Sequence, residues 1–178
     1  MKKFLDNSIE SFALTFFLIY IHLMDIKVRA DWLWPYLCAS ILGLAAIIYL
    51  YKKHIVLNRI FLGGTLYFCS GLLGLLINWD WLNQAYAELE AVAMLYWIVL
   101  VGIISIFTPY GFLGIKNPGY FSNTQSSLLL LFFCIIATGI AYLFIGNTFL
   151  GEWLPFIFIF SVRGLLRFLD RKWLKNRV

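Results

Sequence analysis

Charge is scarce in this chain. Only 13% of its 178 residues are Asp, Glu, Lys or Arg, while 62% are hydrophobic. Soluble domains average about 25% charged and about 45–50% apolar. So few charges cannot cover so much apolar surface, which excludes an ordinary soluble globule. Histidine is rarer still. His22 and His54 stand at opposite ends of apolar runs, so a paired-histidine haem or a histidine-based metal site is excluded. The three cysteines, Cys38, Cys69 and Cys134, occupy three separate apolar runs with no C-x-x-C pair. They read as small buried hydrophobes and not as zinc or redox ligands.

Catalytic signatures are missing too. The sequence has no G-x-S-x-G, H-E-x-x-H, P-loop or Rossmann fingerprint. No paired aspartates sit within the apolar runs, so a conventional enzyme is not expected, and no catalytic residue, metal or cofactor is assigned. No stretch is long or polar enough to form a second domain. The opening Met1-Lys2-Lys3 is followed by Asp6, Asn7 and Glu10 instead of a short apolar core and cleavage site, so the first apolar run is expected to remain as an anchor.

Six runs approach the roughly 20 apolar residues that a helix needs to cross a bilayer. They cover residues 9–26, 33–51, 60–79, 89–107, 128–145 and 153–169. Glu10 and His22 interrupt the first. Lipid offers no partners to backbone N–H and C=O groups, and the runs lack strand alternation, so the spans are helices. The predicted fold is an all-α, polytopic membrane bundle with short loops.

With the N-terminus inside, 12 of the 14 basic residues fall on the cytoplasmic side: Lys2, Lys3, Lys52, Lys53, Arg59, Lys116, Arg163, Arg167, Arg171, Lys172, Lys175 and Arg177. Only Lys27 and Arg29 fall outside. The positive-inside rule then predicts both termini in the cytoplasm of a cell with an inner membrane, and a basic tail at 170–178. The net charge of +5 is therefore a topology signal, and nucleic acid is not an expected partner. Trp32, Trp34, Tyr36, Trp79, Trp81, Trp153 and Trp173 mark the span ends, as interfacial aromatics do. The connection 108–127 carries Pro109, Gly111, Gly114, Pro118 and Gly119. It is either a turn-rich cytoplasmic loop or a segment folded back against, or into, the bundle.

Small residues recur along single faces: Ala39, Gly43 and Ala46 in the second run, Gly64, Gly71 and Gly74 in the third, Ala137 and Ala141 in the fifth. Such faces let membrane helices approach closely, within one bundle or between two copies of the chain. Ionisable groups at membrane depth are candidate ligand or ion sites by default. Glu88 and Glu90 open the fourth run; being two apart they point in different directions, so at most one faces the interior. His22, near Asp25, is either an interfacial histidine or a proton relay. Arg163 either snorkels to the headgroups or pairs with a buried anion, and Arg167, Arg171 and Lys172 fit an anionic-lipid contact.

The opening Met1-Lys2-Lys3-Phe4-Leu5-Asp6, the stretch Phe16-Phe17-Leu18-Ile19-Tyr20, and Gly71-Leu72-Leu73-Gly74-Leu75-Leu76-Ile77-Asn78-Trp79-Asp80 resemble the intracellular septation protein A family of bacterial inner-membrane proteins. The family's tight Gly-Gly is split here as Gly71 and Gly74, and the 108–127 loop has no match in it. The resemblance implies a non-catalytic role in envelope maintenance and division-linked wall synthesis, exercised through protein partners. Two other readings stay open. One is a small transporter or the substrate-binding membrane subunit of an importer, with an outward or midplane cavity of aromatic residues plus Glu88, Glu90 or Arg163. The other is a membrane immunity or accessory protein. Expected partners are lipids and a membrane protein or a second copy of the chain.

Overall fold

The structure is a computed structural model that describes residues 15–17, 19–20, 29–114 and 122–175; the side chains of 29–30 and 170–175 lie outside that description. Among these residues every regular element is helical. A 3-10 turn, Arg29–Trp32, leads into α1 (Leu33–Lys52); α2 (Arg59–Leu76), α3 (Asp80–Leu89), α4 (Ala91–Ile106), α5 (Asn123–Leu143) and α6 (Leu154–Lys175) follow, with a π-turn at Thr148–Trp153 before α6.

Local chemistry sets these boundaries. α1 ends with His54 at φ 53°, where the His54 N–H donates to Tyr51 O and the Ile55 N–H to Leu50 O. This left-handed closure satisfies carbonyls that the helix end would otherwise leave orphaned. α2 ends the same way: Asn78 sits at φ 54°, and the N–H groups of Asn78 and Trp79 donate to Leu75 O and Gly74 O. At its start, the buried Asn58 side chain accepts from Ile60 N. Ser122 and Gln125 cap α5 reciprocally, a box that moves the start of the fifth helix five residues ahead of the predicted 128.

Four helices, α1, α2, α5 and α6 with its π-turn, are long and apolar enough to cross a membrane. They correspond to the second, third, fifth and sixth predicted runs. α4 corresponds to the fourth, but its 16 residues span only about 24 Å. It reaches spanning length only together with α3, from which it is bent by 102°. The described residues therefore hold four to five candidate spans, and most of the first of the six predicted runs lies outside them. The predicted first run, 9–26, is described only at 15–17, 19 and 20, and these residues are helical. The large apolar side chains of α1, α5 and α6 that face away from the bundle, such as Ile41, Ile48, Phe132, Ile135, Ile157 and Phe160, are exposed. Lipid would cover such surface and water would not.

The helices pack in the order α1, α2, α4, α5, α6. α2 is the pivot, and glycine sets its distances. A Cβ at Gly63 would lie 2.7 Å from the Ile98 backbone of α4, and one at Gly43 of α1 would lie 2.8 Å from the Thr65 side chain of α2. At Gly71 a Cβ would overlap the Tyr36 ring of α1, and at Gly74 it would meet Asn83 and Leu82 of α3. Gly64 has more room, with Met94 at 3.9 Å. The predicted stripe Gly64, Gly71 and Gly74 thus serves three different neighbours. Ala39, Ala46, Ala137 and Ala141 are buried within the same bundle.

The 108–127 connection is described at 108–114 and 122–127, and its first part folds back. Gly111 (φ 60°) and Gly114 (φ 71°) turn the chain so that Phe112 and Leu113 enter the core, 1% and 2% exposed. The Phe112 N–H donates to Ser127 Oγ, which donates to Asn123 O, and Asn123 Nδ2 donates to Pro109 O. Every loop polar group named here is satisfied by α5 or by the loop itself, as burial requires.

Replacing Gly63 by alanine is expected to destabilise the bundle by about 1–3 kcal/mol through overpacking against α4. Gly139→Ala, where a Cβ would meet nothing within 4 Å, is expected to be neutral. Thermal unfolding in mild detergent compares the two; equal midpoints would show that α2 and α4 do not approach this closely.

Candidate functional site

Where side chains are described, charge divides cleanly between the two ends of the bundle. Asp31, Asp80, Glu88, Glu90 and Glu152 gather where α1 starts, α2 ends and α6 is entered; Lys52, Lys53, Arg59, Arg163 and Arg167 belong to the opposite half. The acidic end also holds the most polar part of the interior.

Tyr36 of α1 and Tyr67 of α2 are both buried, and their hydroxyls bond to each other at 2.5 Å. Gly71, one turn beyond Tyr67, leaves the space that the Tyr36 ring fills. Phe17 packs edge-on to both tyrosines and tilts over Phe68. Tyr86 of α3 stacks on Tyr67, with ring centroids 4.9 Å apart. Its hydroxyl accepts from Trp97 Nε1 of α4 at 2.6 Å and bonds to Ser70 Oγ of α2 at 2.6 Å. Ser70 in turn donates to Tyr67 O. Two spans, α1 and α2, and the bent pair α3–α4 are therefore tied together by neutral hydroxyl and indole groups. Ser40, one turn below Tyr36, is 2% exposed and its hydroxyl has no partner among the described residues.

α3 roofs this cluster. Its outer side carries Trp81 and Gln84, and its inner side sets Leu82, Asn83 and Tyr86 over α2 and α4. Asn83 Nδ2 donates to Gly74 O at 2.8 Å, fixing the front of the roof. The rear is the break at Glu90, which holds φ 49° and ψ −126°. A non-glycine residue pays for such a conformation with strain unless its surroundings fix it. Glu90 Oε2 accepts from the Gly146 N–H at 3.0 Å, which ties the break to the α5–α6 connection. There Asn147 caps the π-turn, its side chain accepting from Phe149 N and Leu150 N.

The sequence candidates fall in different places. Glu88 is exposed and accepts from Gln84 Nε2, whereas Glu90 is half-buried at the break, so the two carboxylates diverge. Neither reaches the tyrosine cluster through a bond described here. Arg163 is half-buried on α6 with its Nε shielded from solvent. Arg167, one turn on, donates to Leu113 O at 3.3 Å. Arg163 and Glu90 thus belong to opposite halves of the bundle and form no common site. His22 lies outside the described residues, as do the side chains of Arg171 and Lys172. All three cysteines are free thiols. Among the described residues no three His, Cys, Asp or Glu side chains gather as a metal site would need.

The residues that do come together, Tyr36, Tyr67, Ser70, Tyr86 and Trp97, are ones the sequence marks only as apolar or interfacial. A signal was available: a tyrosine or tryptophan inside an apolar span needs a partner for its polar tip. Chemically the cluster is a set of neutral donors and acceptors under the roof that α3 forms. It can hold a bundle together, and it can bind a polar group only if α3 lifts. No protein-family model matches this chain, and no curated protein or solved structure is significantly similar to it.

Tyr86→Phe removes the shared partner of Trp97 and Ser70 and is expected to cost about 1–3 kcal/mol in thermal unfolding. Tyr36→Phe and Tyr67→Phe each orphan one hydroxyl, so the double variant is expected to lose less than the sum of the singles. Strict additivity would show that the two hydroxyls do not bond.

Proposed function

We propose that this chain is a non-enzymatic inner-membrane protein of bacterial envelope biogenesis or homeostasis, acting through protein or lipid partners. Its N- and C-termini face the cytoplasm, and its acidic, α3-roofed end faces outward. The observation that carries this reading is the way the polar groups at the acidic end are used. Tyr36 with Tyr67, Tyr86 with Trp97 and Ser70, Asn83 with Gly74 and Glu90 with Gly146 are bonded within the protein. Such self-satisfied networks rigidify a fold and give it one arrangement. A rigid bundle with long apolar faces suits a role played by surfaces. The charge division between the two ends agrees with the orientation proposed, and the resemblance to the septation family, though limited to short apolar motifs, points to the same class.

One observation favours a second reading, a small transporter or the substrate-binding membrane subunit of an importer. Discontinuous helices often mark substrate sites in transporters, and the α3–α4 pair breaks at Glu90 directly beside the aromatic cluster.

Purification of the full chain from native membranes in gentle detergent, followed by mass spectrometry, separates them. Co-purification of cell-wall or division proteins is the expected result. Recovery of an energising ATPase, or of a defined small molecule released by Tyr86→Phe, would replace the scaffold reading with transport.

A further inference from the structure

We propose that the seam between α1 and α2 binds an internal water molecule, held by the Ser40 hydroxyl and bridged to Thr65. The inference rests on the packing of α1 against α2 and is independent of the function proposed above.

The first observation is an exception among hydroxyls. A serine or threonine inside a helix can return its proton to a carbonyl one turn back. Thr65 does so to Phe61 O, Ser70 to Tyr67 O and Thr138 to Cys134 O. Ser40 does not. It is 2% exposed, and its Oγ makes no hydrogen bond among the described residues. A buried hydroxyl left in that condition destabilises a fold, so each one points to a partner of another kind.

The second observation is where that hydroxyl lies. Tyr36, Ser40 and Gly43 stand at i, i+4 and i+7 on one buried face of α1. The Tyr36 ring fills the space over Gly71, and Gly43 lies against Thr65, both on α2. Ser40 stands between them and faces the stretch of α2 from Thr65 to Gly71. A Cβ at Gly43 would lie 2.8 Å from Thr65 Oγ1, which puts that oxygen at the surface of α1, one turn from Ser40. Thr65 is also 2% exposed, and its proton goes to Phe61 O, so its lone pairs are left to accept. No direct bond joins Ser40 to Thr65.

The chemistry of these groups selects the guest. Ser40 brings a proton and two lone pairs, and Thr65 brings lone pairs. The Tyr36 carbonyl, one turn before Ser40, has a second acceptor position. All three are neutral, which suits an uncharged guest. To accept from Ser40 and donate to Thr65, the guest needs both functions on one small atom centre. Water has them, and three partners is the usual number for a buried water. Burial of Ser40 on the face turned to α2 keeps lipid hydroxyls away. In lipid, where apolar contact gives helices no preference for each other, such a bridge adds direction to the α1–α2 contact.

The full-length protein in liposomes of deuterated lipid is studied by solid-state NMR, with magnetisation started on water and read on carbon. Ser40 is assigned through its neighbours Ala39 and Ile41. Its Cβ is expected to receive water magnetisation severalfold faster than the Cβ of Thr138, which is buried and already bonded to Cys134 O. Ser40→Ala is expected to lower the midpoint of thermal unfolding by about 2–4 °C, as loss of one buried hydrogen-bonded group does in a chain of this size. Removing a hydroxyl that had no partner would raise the midpoint instead. Transfer to Ser40 no faster than to Thr138 would overturn the site, as would a Ser40→Ala midpoint equal to or above the parent's. Should Ser40→Ala not fold, the NMR comparison on the parent decides alone. Neither readout depends on which proteins co-purify.

Discussion

α2 lies so close to its neighbours that a single methyl group at several points would not fit. That constraint follows from the surroundings. Between helices in lipid there is no hydrophobic driving force, because acyl chains are as apolar as leucine, and association rests on close packing and a few hydrogen bonds. Gly63 brings the α4 backbone against α2, Gly43 admits Thr65, and Gly71 admits a whole tyrosine ring. Once Tyr36 lies over Gly71, its hydroxyl is at the right depth to meet Tyr67. Tyr67 then offers a face for Tyr86, and Tyr86 draws α3 across the end of the bundle. The polar cluster is thus a consequence of the glycine packing and adds direction to it.

The same chain of contacts explains the one sharp irregularity. α3 cannot continue into α4 as a straight span, because its anchors on Gly74 and Ser70 hold it across the bundle. The turn is made at Glu90, in a conformation that a residue with a side chain rarely takes. Its carboxylate is then in place to bind the Gly146 N–H and fix the α5–α6 connection. An acid at membrane depth, expected to mark a ligand or ion site, here has a structural bond. What function the end performs depends on whether that roof stays shut, as a scaffold requires, or lifts, as a binding subunit requires.

Much of the architecture was legible in the sequence because apolar length is a strong signal. Four of the six runs appear as spanning helices, with ends shifted by at most six residues. The fourth run, 89–107, appears as α4 within two residues at each end, but nothing in the sequence signalled α3 in front of it or the sharp bend between them. Only the anchoring of Asn83 and Tyr86, contacts between segments, reveals the bend. The glycine stripe was visible, but periodicity could not tell that Gly64, Gly71 and Gly74 face three different partners, and it passed over Gly63, which makes the closest approach to another helix's backbone. The site was the least legible part. Charged residues drew attention, whereas the residues that converge are tyrosines, a serine and a tryptophan whose hydrogen bonds join positions 11 to 31 apart. His54 and Asn78 show the converse: polar residues that close helices through left-handed turns, a local role the sequence does carry in their small or tolerant side chains.

The central claim is that the chain sits in a membrane with its acidic, roofed end outside and its basic end within the cell. Single cysteines at Gln84 and at Lys53, in a chain whose Cys38, Cys69 and Cys134 are replaced by alanine, test it directly with a membrane-impermeant thiol reagent on intact cells whose outer barrier has been opened. The account predicts labelling at position 84 before lysis and at position 53 only after it. Labelling at position 53 in intact cells, or protection at 84, would contradict it.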